Sequence, residues 1–325
     1  MPALTHKVKA GFFLPVSSCF GYYFLQNVTA SKLFFTYAYL YRMYTYAQAF
    51  NLLKNELAAL YDEREAAAIA HEVLSHITGL SKVQRLVEKS TFLNDKQQQQ
   101  FIAAQQQLLK GVPLQYVTGI AWFMGKEFAV NNNVLIPRPE TEELVQWIIN
   151  ENRAKVMSIL DVGTGSGCIP VSLKLALPDA EIAACDISSG ALETAKGNAE
   201  RLTANVAFAE IDFLDKAAQN KLGMFDVIVS NPPYIPFSEK EKLHTNVRDN
   251  EPGIALFVPN EDALVFYREL AQFGKTHLNK EGKIYCELDA DHAAACKELF
   301  EAEGYWDVTL RKDMFDNWRF LGAQL

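Results

Sequence analysis

The stretch FDVIVSNPPYIP, residues 225–236, is apolar and β-branched until it breaks at Asn231-Pro232-Pro233-Tyr234. One breaker is enough to end a strand, so the set has acceptors to spare. The prolines carry no N–H and leave rigid carbonyls unopposed. Asn231 adds a side-chain carbonyl, and Tyr234 adds a flat wall. Two acceptors a short distance apart can hold both hydrogens of one NH₂ group. The motif is therefore suited to presenting a planar amine or amide to an electrophile.

Three further stretches fit the same chemistry. ILDVGTGSGCIP, residues 159–170, ends an apolar strand in Asp161 and turns on Gly163, Gly165 and Gly167, with Thr164 and Ser166 between them. Glycines at a strand–helix turn let a ligand approach the backbone closely. The spacing is G-x-G-x-G, not the G-x-G-x-x-G suited to a pyrophosphate, and no P-loop lysine follows. Asp186 lies 25 residues beyond Asp161, at the end of the next apolar run, where a carboxylate can accept from both hydroxyls of a ribose. Asp212-Phe213 closes a third run; an acid there can bond an adenine amine and an aromatic can cover its ring. A ribose without a diphosphate points to an adenosyl group on a sulfonium.

Alternating elements must position these residues. Strands are expected at 156–162, 181–186, 206–212, 225–230, 283–288, 305–311 and 318–323, with helices between the first six. That pattern predicts an α/β fold, a doubly wound, mostly parallel seven-stranded sheet. The last two strands have only KDMFDN between them and must pair antiparallel. If strand order reverses at the first strand, Asn231 lies beside the glycine loop, at the switch point where such sheets bind ligands. Upstream, residues 43–118 read as a smaller helical bundle. Phe50, Leu53, Leu57, Leu60 and Tyr61 recur at helical spacing, as do Ala66, Ile69, Val73 and Ile77 before Gly79. A third helix fits 81–88. A fourth, capped by Asn94 or Asp95, carries its glutamine runs as a solvated face. Residues 119–137 read as a β-hairpin linker and 138–325 as the catalytic domain.

The net charge is −8, distributed as +4 over residues 1–42, zero over 43–120 and −12 over 121–325. An acidic bulk argues against a duplex-DNA binder, whose affinity comes mainly from phosphate neutralisation. Five cysteines without C-x-x-C spacing read as reduced thiols, and no metal site is expected; His71 and His76 miss the i,i+4 spacing of a helical metal pair. No apolar run reaches membrane-spanning length. Residues 1–42 are aromatic-rich and free of acids. They read as an extension ahead of a natural start at Met43, with a targeting peptide or a genuine extra arm as the other readings.

Together, LIPRPETEELV, DVGTGSGCI, NPPYIP, NEPGIALF and FYREL resemble the N5-glutamine methyltransferases of peptide chain release factors, the HemK/PrmC family of class I, Rossmann-like, S-adenosylmethionine-dependent methyltransferases. The resemblance covers residues 43–325. It implies a substrate-recognition role for the helical domain, S-adenosylmethionine as cofactor, and the glutamine of a Gly-Gly-Gln loop in class I release factors as substrate. Carried over by position, Gly163, Thr164, Gly165, Ser166 and Gly167 hold the methionine part, Asp186 the ribose, and Asp212 and Phe213 the adenine side, with Asn231 shared. Asn231, Pro232, Pro233 and Tyr234 hold the substrate glutamine, with Asn231, Pro232 and Tyr234 as catalytic residues. Phe123 matches an aromatic that closes the substrate pocket. A cytoplasmic monomer acting on no nucleic acid and no membrane is implied. Two departures stand out: FVPNED replaces a glycine-rich stretch, and residues 1–42 have no family counterpart. The residues leave two alternatives open, adenine-N6 methylation of nucleic acid and a non-catalytic cofactor-binding interaction protein.

Overall fold

The computed structural model describes residues 43–153 and 157–325. The readings made for residues 1–42 lie outside the described residues.

The helical part runs through Tyr46–Leu57, Glu63–Thr78, Lys82–Val87, Asp95–Leu108 and Leu114–Thr118. Side chains fix its starts: Thr45, Ser81 and Asn94 each form a capping box with the glutamine three residues on, and Asp62 accepts from Arg64 and Glu65 N–H. Gly79 ends the second helix in the left-handed conformation. Leu53, Leu57, Val73, Leu74, Phe101 and Leu108 fill the core between the helices. One expectation fails. Gln98 and Gln105 are buried, not solvated, because the helical period places them on the same face as Phe101, Ile102 and Leu108. Gln98 Oε1 accepts from Tyr44 N–H at 3.2 Å, and Gln105 donates to Glu56.

The hairpin follows as β1 (Ile120–Phe123) and β2 (Lys126–Ala129), and then helix Pro139–Asn152. Pro139 suits the first helical turn, whose N–H groups have no intrahelical partner. The main sheet contains β3 (Ser158–Val162), β4 (Glu181–Asp186), β5 (Ala207–Glu210), β6 (Phe225–Ser230), β9 (Leu278–Glu287), β10 (Thr309–Lys312) and β11 (Trp318–Gln324). Their order is β10-β11-β9-β6-β3-β4-β5, parallel except for β11, which runs antiparallel to both β9 and β10. The doubly wound seven-stranded α/β fold is therefore present, with its reversal of direction at β3. Helices on both faces bury near-continuous apolar strands, as both-face burial requires.

Strand limits differ from those expected. β5 stops at Glu210 and leaves Asp212 in the following loop. β9 begins at Leu278, with a register shift opposite residues 225–227. β10 begins only at Thr309, because Tyr305 turns inward, packs on Phe300 and donates its hydroxyl to Ala271 O at 2.8 Å. A two-residue pair, β7 (Ile235–Pro236) with β8 (Phe257–Val258), carries the chain directly after the Asn-Pro-Pro-Tyr motif.

Candidate active site

The ends of β3, β4 and β6 and the turn after β5 meet around a cavity of about 270 Å³. Gly163, Thr164, Gly165 and Ser166 line it, with Asp186, Ile187, Asp212, Phe213, Leu214, Asn231, Pro232 and Pro233. The loop after β3 is held from below: Gly163 and Thr164 N–H donate to Cys185 O at 2.9 and 3.0 Å. Gly163, Gly165 and Gly167 all have positive φ, a conformation that favours glycine. A Cβ at Gly163 or Gly165 would meet nothing within 4 Å, whereas one at Gly167 would press on Ala195 at 3.0 Å. The first two glycines therefore keep space open beside the cavity. The third admits the close packing of helix Cys168–Ala176 on helix Ser189–Arg201.

Asp186 is shaped by its own surroundings. Oδ2 accepts from Gly165 N–H and Oδ1 from Ser188 N–H, each at 2.9 Å. Each oxygen keeps a lone pair for a further donor. Phe213 is buried edge-on against Phe273 with its ring at the cavity wall. The Asp212 carboxylate accepts from Leu214 N–H at 2.9 Å.

Among the described residues, Asp161, Thr164 and Ser166 stand together as buried groups short of hydrogen-bond partners, with Ser172 the one further such side chain. Both Asp161 oxygens and both hydroxyl oxygens are buried without a hydrogen-bond partner within the usual geometric limits. Burial, with a smaller contribution from Asp186, pushes the Asp161 carboxyl up to about 7, against a lowering by the Thr164 hydroxyl. A buried polar cluster beside an open backbone cradle fits a ligand that brings its own donors. The residues thus fit S-adenosylmethionine on three counts: the glycine cradle, the under-bonded Thr164 and Ser166 hydroxyls on the cavity wall, and the carboxylate–aromatic arrangement of Asp186 and Phe213.

A second cavity, about 190 Å³, adjoins the first and shares Leu135, Arg138, Asn231, Pro232 and Ala255 with it. Tyr234, Ile235, Leu243, Val247, Leu256 and Glu287 complete its wall. Asn231 and Pro232 therefore stand at the junction of two chambers. Among the described residues, the Pro232 carbonyl takes part in no backbone hydrogen bond. Asn231 donates through Nδ2 to Thr141 Oγ1 at 3.2 Å, leaving Oδ1 free. Burial and the nearby Glu287 hold the Tyr234 phenol well above its usual value, so it is a neutral wall at physiological pH.

Comparison with known proteins gives the family. The sequence family described as Methyltransferase small domain matches residues 140–250, and that described as PrmC N-terminal domain matches residues 48–119. The release factor glutamine methyltransferase of Flavobacterium psychrophilum is 39% identical over 269 residues, 82% of this chain and 94% of that protein. The proteins of the same name from Bacteroides thetaiotaomicron and Chlorobaculum tepidum are 39% and 37% identical, over 83% and 81% of this chain and 97% and 92% of theirs. The chain belongs to the release factor glutamine methyltransferase family.

Within this release factor glutamine methyltransferase family member, two expected site residues line neither cavity: Gly167, which is taken up by the packing against Ala195, and Phe123. Phe123 is fully buried against Phe128, Leu144 and Trp147. Alternation along β1 turns Phe123 inward and leaves Trp122 exposed, so the ring supports the sheet rather than the substrate chamber. Conversely, the LIPRPETEELV stretch, which leads from the hairpin into helix Pro139–Asn152 (the hinge helix), enters the site. Arg138 lines both cavities and pairs with Glu251 of NEPG at 2.6 Å, and Glu251 also accepts from Ile136 N–H at 3.2 Å. Thr141 lines the first cavity and Glu287 the second. Both motifs stand in the sequence, but nothing in their spacing pairs them. The divergent 257–262 loop lines neither cavity; Asn260 ties it to Ser238 N–H at 2.7 Å and Asp262 to Arg268 at 3.1 Å. The four described cysteines are buried free thiols, and no cluster of metal-ligating residues occurs among the described residues. No helix among them is long and apolar enough to cross a membrane.

Proposed function

We propose that this protein transfers a methyl group from S-adenosylmethionine to the side-chain amide nitrogen of a glutamine, the one in the Gly-Gly-Gln loop of class I peptide chain release factors, in the cytoplasm. The observation that carries the reading is the position of Asn231 and Pro232, two free acceptors at the boundary between the cavity of the glycine loop and a second chamber. The glycine loop of residues 163–167, Asp161, Asp186, Asp212 and Phe213 would hold the cofactor, which supplies an activated methyl group when bound.

An amide nitrogen is a weak nucleophile because its lone pair is delocalised, so the protein's task is positioning and electrostatics. Asn231 Oδ1 and the Pro232 carbonyl accept the two amide hydrogens. That fixes the plane of the amide and disperses positive charge growing on its nitrogen. Pro233 stiffens the turn, and the neutral Tyr234 ring shields the acceptor chamber from water. The proton the nitrogen sheds leaves to solvent. The helical bundle, residues 43–118, serves as the recognition domain for the rest of the release factor.

A methyl-transfer assay offers release factor, its Gly-Gly-Gln peptide, duplex DNA, RNA and free glutamine side by side. Label on the glutamine of release factor and of its Gly-Gly-Gln peptide, and on no other substrate, is the expected result. Label on adenine, or none on any substrate, would contradict the reading.

A further inference from the structure

Asn231 can serve as an acceptor only if its amide is held the right way round, since a flipped side chain would present NH₂ to the substrate's NH₂. A chain of hydrogen bonds behind it decides the direction. Thr141 Oγ1 lies 2.6 Å from Glu287 Oε2 and 3.2 Å from Asn231 Nδ2. Thr141 and Glu287 are both buried. They come from elements far apart in sequence, the hinge helix and the end of β9.

We propose that Glu287 and Thr141 are positioning residues that lock the Asn231 amide with its carbonyl toward the substrate. An ionised carboxylate only accepts. The single hydroxyl hydrogen of Thr141 is therefore committed to Glu287. Thr141 Oγ1 has then only lone pairs to offer Asn231, which must answer with Nδ2. Oδ1 is left facing the junction of the chambers. The carboxylate thus polarises the whole relay, and the inference rests on the amide-methylating reading above.

The relay has a natural acid limit. A protonated Glu287 can donate to Thr141, which can then donate to Asn231 and reverse the amide. Burial pushes Glu287 up to about 7. The groups facing it are Arg319 on β11, Arg138 and Glu140 at the start of helix Pro139–Asn152, Tyr234 after β6 and Cys168 at the start of helix Cys168–Ala176. Tyr267 on helix Val265–His277 donates to the Glu287 carbonyl at 3.1 Å.

The test compares Thr141→Val, which keeps the shape and removes the hydroxyl, with Thr141→Ser, which keeps the hydroxyl, and with Glu287→Gln. In ¹⁵N spectra of the protein without donor or substrate, the Asn231 side-chain NH₂, assigned by its loss in Asn231→Ala, should exchange slowly with solvent in the wild type and in Thr141→Ser. It should exchange at least several-fold faster in Thr141→Val. With release factor, kcat should fall about tenfold in Thr141→Val and Glu287→Gln, the scale of one lost hydrogen bond, with KM within about twofold. Thr141→Ser should recover most of that loss. The wild type should lose turnover below about pH 7, and that decline should disappear in both impaired variants. A proton-acceptor role for Glu287 would instead leave that decline intact in Thr141→Val, and this result would overturn the inference. So would unchanged exchange of the Asn231 amide. Wild-type protein inert toward release factor would sink the functional reading while the exchange experiment still decides the relay.

Discussion

Asp161 and Glu287 are buried carboxyls at or next to the sheet's ligand-binding edge, and burial pushes each up to about 7. Each binds a proton more tightly in the folded chain than in the unfolded one. Their contribution to stability is therefore complete below the unfolded value, near 4, and is lost as pH rises through about 7. In the absence of donor, the melting temperature of the wild type should fall relative to that of Asp161→Asn as pH is raised from about 5 to about 8. Parallel curves would show that Asp161 is not held in this way. Local motifs made much of the site legible. The glycine loop, Asp186, Asp212, Phe213 and Asn231-Pro232-Pro233 each sit at the end of an apolar run, and the runs converge. Thr141 and Glu287 escaped notice because they meet only through the fold, 146 positions apart. Phe123 lines neither cavity because the turn at Gly125 and the pleat, not the residue type, decide which way β1 side chains point.

At the scale of elements, one side chain ties the linker hairpin to the cofactor loop. Asn198, fully buried on helix Ser189–Arg201, accepts from Ala129 N–H at 2.7 Å and donates to Ala129 O and Ser166 O, each at 2.9 Å. Replacing it by leucine keeps the volume, strands the buried Ser166 carbonyl and removes the bonds to the two more exposed groups of Ala129. Chemical denaturation should show a loss of roughly 1–3 kcal/mol, the cost of one orphaned buried group. A loss below about 0.5 kcal/mol, the level of an ordinary surface change, would mean the hairpin is held by other contacts. Asn198 carries no sequence signal, because a polar residue on an amphipathic helix reads as solvated until tertiary contacts are known. The same blindness hid Gln98 and Gln105, which satisfy backbone and side-chain groups inside the helical bundle. Strand existence and direction were readable from apolar runs, and the lone antiparallel strand from the short KDMFDN turn. Strand ends were not, because residues such as Tyr305 and Leu278 are equally apolar inside and outside a ladder.

Across the whole molecule, the segment from Asn-Pro-Pro-Tyr to Asn250, the first residue of Asn-Glu-Pro-Gly, is the bridge. It lines the acceptor chamber through Leu243 and Val247. It also touches the helical bundle: Asn246 Nδ2 donates to Tyr61 Oη at 2.7 Å and Asn250 Nδ2 to Gly111 O at 3.1 Å. If the bundle recognises the body of the release factor, these bonds set its alignment with the chamber. The double variant Asn246→Ala/Asn250→Ala should raise KM for intact release factor about fivefold, the scale of roughly 1 kcal/mol, and leave KM for a short Gly-Gly-Gln peptide unchanged. Equal effects on both substrates would place the contacts in chamber shape and not in alignment. The acidic catalytic half and the neutral bundle were plain from composition. The bridge was not, because its contacts join residues 185 and 139 positions apart.

The central claim is that Asn231 and Pro232 hold an amide nitrogen against the donor, and Asn231→Ala tests it most directly when turnover and donor affinity are measured on the same preparation. Removing one preorganised charge-stabilising group should lower kcat on release factor about 100-fold or more. Donor binding, followed by calorimetry, should weaken much less than in Asp186→Ala, where the lost charged acceptor costs about 10- to 100-fold in affinity. Near-normal turnover in Asn231→Ala, or a loss of turnover that simply tracks a loss of donor binding, would contradict the account.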